Sequence, residues 1–527
     1  MSKVESVEAF DYVVSVAQNS LWNFVNYVVT GVAGVVAGVI LTRTLGAQQY
    51  GSYAFFSSML VVGSLFLDFG LGQAIAKYVP RYYNDPENKG LGIQIFLSTL
   101  AFQLMVSVLV VAILLLSLGY WRGLIRVDTA QAGILAIITV STLVPAVLSK
   151  QVTNFLGATR NSKPIAIAAI VTQLLSLAMI TIFGIIYKNL PLILLGQLAV
   201  NAVACAVLWT VARPLLRFER PSKKILPFND LRTYSLLAYL NVILTFVVWS
   251  YSEVFFLGYY APVKEVGFYT LAFSVASIVA SVPGLYLRTA YTVQFELLEL
   301  GEEERSDRIA SMNVKLMSIL FLPLAIYISY FAKPIVSLLY GSSYDTVSVI
   351  LPLVLFGTII STTIGSPIIK ASNDNKVFGG TIALTLLGAI VNLILDYLLI
   401  PRYQSIGAGI ANLFSQLILT AILLSYAFRA MRIHIDWLRI VKVYGINLIL
   451  AGTLALASIA SESFAWRLLI AAMSAYGYFL ILVGSHIFDE MDAKIVSKVG
   501  SHVPRRIAPA FEAIQRQISR GLSAPRT

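Results

Sequence analysis

Fourteen mostly apolar stretches follow one another along the chain, at approximately 12–40, 50–76, 93–118, 131–156, 164–187, 191–212, 234–258, 267–292, 310–330, 346–369, 377–400, 406–428, 442–461 and 466–487. A helix of about 20 apolar residues crosses the roughly 30 Å hydrocarbon core of a bilayer. Only helices and closed barrels satisfy their backbone there. Recurrent runs of this length therefore predict an all-α polytopic membrane protein of about 14 transmembrane helices. Composition agrees: of 527 residues, 58% are hydrophobic and 12% charged, with a mean hydropathy of +0.81. Soluble domains carry about 25% charged residues, so a water-facing enzyme of this length is excluded. The opening MSKVESVEAFDYVV places Glu5, Glu8 and Asp11 where a secretory signal would have its basic region, which argues against a cleaved leader.

The net charge of +12 is a topology signal. With an even number of spans both ends share one side, and 30 of the 38 Lys and Arg lie on it. Positive charge marks the cytoplasm, so both termini are expected there, in a cell (cytoplasmic) membrane. The richest segments, RPLLRFERPSKK (213–224), RAMRIHIDWLRIVK (429–442) and the tail, suit anionic lipid headgroups and not nucleic acid. One cysteine, Cys205, and three histidines outside the spans (His434, His486, His502) leave no disulfide framework and no zinc-ligand spacing. No metal site or cofactor is expected.

The chain repeats itself. QYGSYAFFSSMLVV (49–62) is echoed by EVGFYTLAFSVASIV (265–279), and GATRNSKPIAIA (157–168) by KASNDNKVFGGTIA (370–382), at offsets of about 216 and 213 residues. Two parallel six-helix bundles related by a pseudo-two-fold axis along the membrane normal are expected. They occupy residues 1–220 and 221–432, followed by two further helices (433–487) and a basic amphipathic cytoplasmic tail (488–527, with IAPAFEAIQRQISRGL at 507–522). The first helix of each bundle carries a polar stripe: Ser15, Asn19, Asn23, Asn26 and Thr30 in one, Asn241, Thr245, Trp249 and Ser252 in the other, with Glu253 beside it. Such a stripe avoids lipid. It lines a cavity or bonds to neighbouring helices, and its recurrence favours a cavity between the bundles. Gly31, Gly34 and Gly38 form a small-residue face suited to close packing.

Three segments carry a family resemblance: RTLGAQQYGSYAF (43–55), LDFGLGQAIAKYV (67–79) and NLILDYLLIPRYQSIGAGIA (392–411). In order and spacing they resemble the polysaccharide-transporter, O-antigen-type flippase branch of the multidrug/oligosaccharidyl-lipid/polysaccharide (MOP) exporter superfamily. The resemblance covers most of the chain and matches its fourteen spans. Two departures stand out: Gln404 where the family usually has glycine, and Asp396 where asparagine is more usual. The resemblance implies a non-enzymatic flippase that moves a polyprenyl phosphate- or pyrophosphate-linked oligosaccharide to the outer leaflet by alternating access. It also implies glycan-assembly proteins as partners and a monomer as the working unit, with spans 13 and 14 offering a groove for the carrier tail.

A flippase must carry a phosphate through a low-dielectric slab, where an unpaired charge is very costly. Cations in a central cleft lower that cost, and Arg clasps phosphate bidentately. The candidates are Arg288, after Pro283 and Gly284 in span 8, and Lys150 in VLSKQVTN; Arg43, Lys77 and Lys370 lie nearer helix ends. For each the competing reading is a side chain snorkelling to the interface. Asn23, Asn26 and Asn241 complete the expected substrate-binding set. Glu253, Asp68 and Asp396 are the carboxylates that ion or proton coupling would use. Asp68 paired to a nearby cation and Asp396 capping the outer end of span 11 are structural alternatives.

LDFGLGQAIAKYV has two glycines and a lysine, as a phosphate loop does, but no strand precedes it and no G-x-x-x-x-G-K-[ST] occurs. Asp68 lies about 27 Å down the helix from Tyr50, so the segment reads as an inner gate, with Pro283–Gly284–Arg288 as its counterpart. Two other functions compete. An ion-coupled multidrug exporter of the same architecture would favour carboxylates over cations in its cavity. A membrane-embedded sugar polymerase or glycosyltransferase would favour a large outer loop with paired acids, whereas the outer connections here (119–130 and 331–345) are short.

Overall fold

A computed structural model describes residues 3–83, 88–121, 129–159, 162–216, 228–246, 251–365, 375–431, 437–460, 463–485 and 487–488. All regular structure among these is helical. The principal helices are α1 (Lys3–Phe66), α2 (Leu71–Tyr83), α3 (Lys89–Leu116), α4 (Thr129–Ala158), α5 (Ser162–Thr181), α6 (Leu190–Ala212), α7 (Phe228–Phe246), α8 (Ser252–Tyr260), α9 (Val263–Glu299), α10 (Glu303–Tyr330), α11 (Ala332–Leu339), α12 (Val347–Ile360), α13 (Asn375–Met431), α14 (Trp437–Ala460) and α15 (Phe464–Gly484).

Among the described residues eleven helical stretches are long and apolar enough to cross a membrane. Two of them are doubled, and α7 and α8 fall where the seventh span is expected, which agrees roughly with fourteen spans. The first doubled helix is α1, interrupted at Gly46, where φ is 71°. Thr30 and Val61 line one cavity, although 31 residues of straight helix would separate them by about 46 Å; the chain therefore reverses at the glycine. The second is α13, which breaks at Gln404 (φ 51°, ψ −130°). Gly407 there comes back against the carbonyl of Leu399 with no room for a Cβ. The glycine-depleted position noted in the sequence is thus the turn residue itself, held in a backbone region that glycine enters at little cost and glutamine does not.

Lipid-facing surfaces follow helical periodicity. On α3, Met105, Leu109, Ile113 and Leu116 are all exposed while Thr99, Gln103 and Ser107 are buried. This inversion of the soluble pattern is what a bilayer solvent selects.

The chain divides into two compact units. The first comprises Met1–Ile278, Val336–Ile350 and Thr385–Ser415. In it α4 packs along α6, α1 along α5, and α2 against α3, α4 and α7. Ile75, Val79, Phe96 and Phe155 belong to a buried cluster in it. The second comprises Val279–Ile335, Leu351–Leu384 and Gln416–Thr527. Here α10 packs on α14, and Ile326, Tyr330, Leu450 and Leu454 form the core. Polar ties hold α15 in place: Tyr478 Oη donates to the Ile319 carbonyl (3.1 Å) and Arg467 Nη1 to that of Tyr330 (3.0 Å).

LDFGLG is a tight, left-handed connection. α1 ends at Phe66, Phe69 and Gly70 take positive φ (47° and 70°), and α2 begins at Leu71. A Cβ on Gly70 would run into the carbonyl of Ser235 on α7. Tyr239 of α7 donates to the Phe66 carbonyl (3.0 Å) and stacks on Phe69 at 5.3 Å. The glycine therefore serves close packing between the first helix of one repeat and the second helix of the other.

Candidate functional site

Within the first unit a partly open cavity of about 600 Å³ is lined mainly by α1, α5, α6, α8 and α9. The two repeats contribute equivalent positions: Tyr53 and Tyr269, like Ser58 and Ser274, are separated by the same 216 residues as the sequence echo, and all four line it. Thr30, from the polar stripe of the first span, lines it too.

Near the far end of this cavity from the N-terminus the repeats touch. Gly51 lies against the Val263 carbonyl, and a Cβ on Gly267 would come within 3.0 Å of the Gly51 Cα. Gly51 and Gly267 are themselves repeat equivalents. Tyr344, from the turn after α11, sits beside them. Its ring meets Tyr50 and Phe268 edge-on at 6.1 and 5.7 Å, and its hydroxyl donates to the Thr42 carbonyl at 3.4 Å. Burial pushes this phenol above the usual tyrosine range, so it remains a neutral donor. Arg43 fixes the same segment by donating to the Leu338 and Leu339 carbonyls (2.5 and 3.0 Å) at the C-terminus of α11, where a cation also meets the helix dipole favourably.

Behind the cavity wall lies a cluster of acids and amides. Tyr251 and Val254 face the cavity, whereas Ser252 and Glu253 between them are buried. Glu253 accepts from Asn412 Nδ2 (3.0 Å) and from Ser252 Oγ (3.4 Å). Asn392 Nδ2 donates to Ser252 Oγ (2.7 Å) and to Asp396 Oδ2 (2.9 Å). Glu253, Asn392, Asp396 and Asn412 have no exposed surface. Asp396 Oδ1 and Asn392 Oδ1 are buried oxygens without a hydrogen-bond partner among the described residues, and no Lys or Arg described lies within ion-pair distance of either carboxylate. The α13 turn at Gln404 is what brings Asn412 back beside Asn392 and Asp396. Tyr269 belongs to both places: it lines the cavity, and its buried hydroxyl, without a hydrogen-bond partner among the described residues, is near enough to Glu253 to feel its charge.

A family model described as polysaccharide biosynthesis protein matches residues 16–291, just over half the chain. The chain belongs to the polysaccharide biosynthesis protein family. A relative, the probable low-salt glycan biosynthesis flippase Agl15 of Haloferax volcanii, is 23% identical over 412 residues, covering 78% of this chain and 83% of that one. Among solved structures, the lipid II flippase MurJ in an inward closed conformation superposes with a TM-score of 0.67 at 14% identity, covering 88% of this chain and 98% of that one. An inward-facing multidrug resistance MATE family transporter of the MOP superfamily gives 0.63 at 14% identity, over 77% and 94%. The fold of this polysaccharide biosynthesis protein is thus that of the MOP superfamily, as the sequence resemblance implied.

In this family member the residues singled out from sequence scatter. Lys150 Nζ is 3.7 Å from Asp68 Oδ1, the structural alternative noted for Asp68. Gln151 donates to the same oxygen at 3.5 Å and to Gln103 at 2.9 Å. Lys77 is exposed, its ammonium 3.8 Å above the Tyr234 ring. Arg43 serves the α11 carbonyls. Asp396 does not cap a helix end; it is buried beside Asn392. Asn26 is half-buried, with its side-chain oxygen unpartnered among the described residues. Arg288, Asn23 and Asn241 lie on α9, α1 and α7, with side chains outside the described set; Lys370 and the 507–522 segment lie outside the described residues altogether. Of the cations, none lines the cavity among the described residues. Tyr53, Tyr251, Tyr269, Asn392 and Asn412 escaped the sequence reading. The tyrosine repeated at 53 and 269, and the Asn392–Asp396 spacing of four, were signals that would have found them.

Proposed function

We propose that this protein is a flippase that carries a lipid-linked oligosaccharide, on a polyprenyl phosphate or pyrophosphate, from the cytoplasmic to the outer leaflet by alternating access. The observation that carries the reading is the cavity built from equivalent positions of two repeats, with a buried acid–amide cluster sharing its wall through Tyr269, Tyr251 and Val254. Family membership supports it, and so do relatives whose names describe glycan or lipid II flippases. The chain transports and does no covalent chemistry. The two six-helix bundles, 1–220 and 221–432, rock about the axis between them. Lys77 and Arg288 meet the phosphate at the wet cytoplasmic end, together with Lys370, while the carrier tail stays in lipid. The basic tail rests on anionic headgroups, glycan-assembly proteins supply the substrate, and one chain suffices.

Coupling falls to the buried Glu253–Asp396 cluster. Two buried carboxyl groups with no counter-cation among the described residues cannot both be ionised without a bound cation or a proton. The unpartnered oxygens of Asp396 and Asn392 offer such an ion its ligands. A proton or small cation bound there alters the Tyr269 hydroxyl's surroundings and so the cavity wall. The test uses purified full-length protein in vesicles, following translocation of a fluorescent polyprenyl-pyrophosphate oligosaccharide under imposed sodium and proton gradients. Gradient-dependent translocation in wild type, lost in Glu253→Gln, is expected. Translocation of ethidium with none of the lipid-linked sugar would instead select the multidrug reading.

A further inference from the structure

The cavity bears on which sugars are carried. Sequence counting anticipated a cationic cleft; yet among its described lining residues there is no Lys, Arg, Asp, Glu or His. Five tyrosines (50, 53, 251, 269 and 340) and the amides of Gln173 and Gln197 stand in their place. Tyr53 and Tyr251 are half-buried and present ring surface to the space, one from each repeat. The two glutamines come from α5 and α6, and no hydrogen-bond partner is seen for either amide among the described residues. Neighbouring Thr30, Ser57 and Ser176 add hydroxyls, and Gly31, Gly34 and Gly38 leave room beside them.

We propose that this chamber selects uncharged sugar rings and rejects acidic ones, an inference that rests on the flippase reading above and names its substrate class. A pyranose ring turns C–H groups toward its neighbours, and these dock on the negative face of an aromatic ring. Its equatorial hydroxyls both donate and accept, and so do an amide and a phenol. Neutral donors and acceptors therefore replace the water that a neutral sugar loses. A uronate or sulfated sugar has no such replacement: packed against neutral groups, its charge gives up water and meets no cation among the described lining residues, which disfavours it. The volume of about 600 Å³ sits within the ~300–1,000 Å³ of ordinary ligand pockets. The chamber thus holds a few rings, and the phosphate remains outside it, with the exposed cations. An aromatic cation would also find ring faces here, but Glu253 and Asp396 are buried behind the wall and do not line the space.

The test compares two probes that differ at one carbon: polyprenyl-phosphate-linked glucose and polyprenyl-phosphate-linked glucuronate, each fluorescently labelled on the lipid, in vesicles holding the full-length protein. Wild type is expected to translocate the glucose probe about a hundredfold faster than the glucuronate probe. Gln197→Arg, checked for a monodisperse elution profile, is expected to reverse the preference. Tyr53→Ala should slow the glucose probe about tenfold, with Tyr53→Phe retaining most of the rate because the ring face remains. Equal rates for both probes in wild type would overturn the selectivity while leaving the flippase reading intact. Movement of neither probe, with ethidium transported, would overturn both. An unchanged preference in Gln197→Arg would remove the chamber as its source.

Discussion

Two buried carboxylate clusters lie in the first compact unit, and they are built on opposite principles. Around Asp68 the charge is balanced: Lys150 sits 3.7 Å away, and Gln151 and Gln103 extend the network to the Leu67 carbonyl. Around Glu253 and Asp396 the described residues supply amides, a serine and a tyrosine, and two oxygens are left without a partner among them. A carboxylate beside its own cation needs nothing further to hold its charge. A pair of acids without a counter-ion has a state to change, because something positive has to arrive before both can be charged. Position repeats the lesson. The first cluster anchors the α1–α2 turn, whereas the second shares a helix and a tyrosine with the cavity.

The difference can be broken by mutation. The largest effect is expected from Glu253→Gln or Asp396→Asn, which keep volume and hydrogen bonding but remove an acid. Gradient-driven accumulation should fall about a hundredfold with the melting temperature unmoved, read as probe transport with and without the gradient. Lys150→Met should do the reverse. It leaves Asp68 without its partner and, since the lysine is partly exposed, costs about 1–3 kcal/mol of stability while the gradient dependence survives. The double variant Lys150→Met/Asp68→Asn should recover most of the melting temperature. Gly70→Ala, in the turn that carries Asp68, meets both a φ of 70° and the Ser235 carbonyl, and about 1–3 kcal/mol is expected to be lost. Gly284→Ala has open space around it and should shift the same denaturation curve by no more than about 0.5 kcal/mol. The smallest effect runs the other way. Gln404→Gly relieves the strained turn that aligns Asn392, Asp396 and Asn412, and a gain of about 1 kcal/mol is expected.

Much of the architecture was legible because a bilayer punishes any other arrangement of so many apolar runs. The spans, the repeat and the reversals near 46 and 404 all follow from run length and glycine-like positions. Glu253 was legible for a local reason: it stands next to a polar stripe with the period of a helix. Contacts between distant residues were not. Lys150 and Asp68 are 82 positions apart in the sequence, so the pairing that occupies this lysine depends on how α4 packs beside the α1–α2 turn. Arg43 was weighed as a phosphate ligand, whereas the carbonyls that claim it belong to residues 338 and 339. Counting cations near span ends cannot tell which face of a helix they occupy. The repeated tyrosines were in plain view, but aromatic residues at helical spacing usually mean packing, and only the cavity around Tyr53 and Tyr269 gives them another role.

Gly51 and Gly267 meet each other, and a residue meets its own counterpart only where it sits on the symmetry axis. In an ancestor made of two identical six-helix halves, a single glycine codon would have furnished both sides of that contact. Any bulkier residue there would have collided with its own copy, so the position was constrained twice over by one mutation. Both positions here carry only a hydrogen. What survives is a seam where backbone meets backbone, with the aromatic rings of Tyr50, Phe268 and Tyr344 packed at its margin.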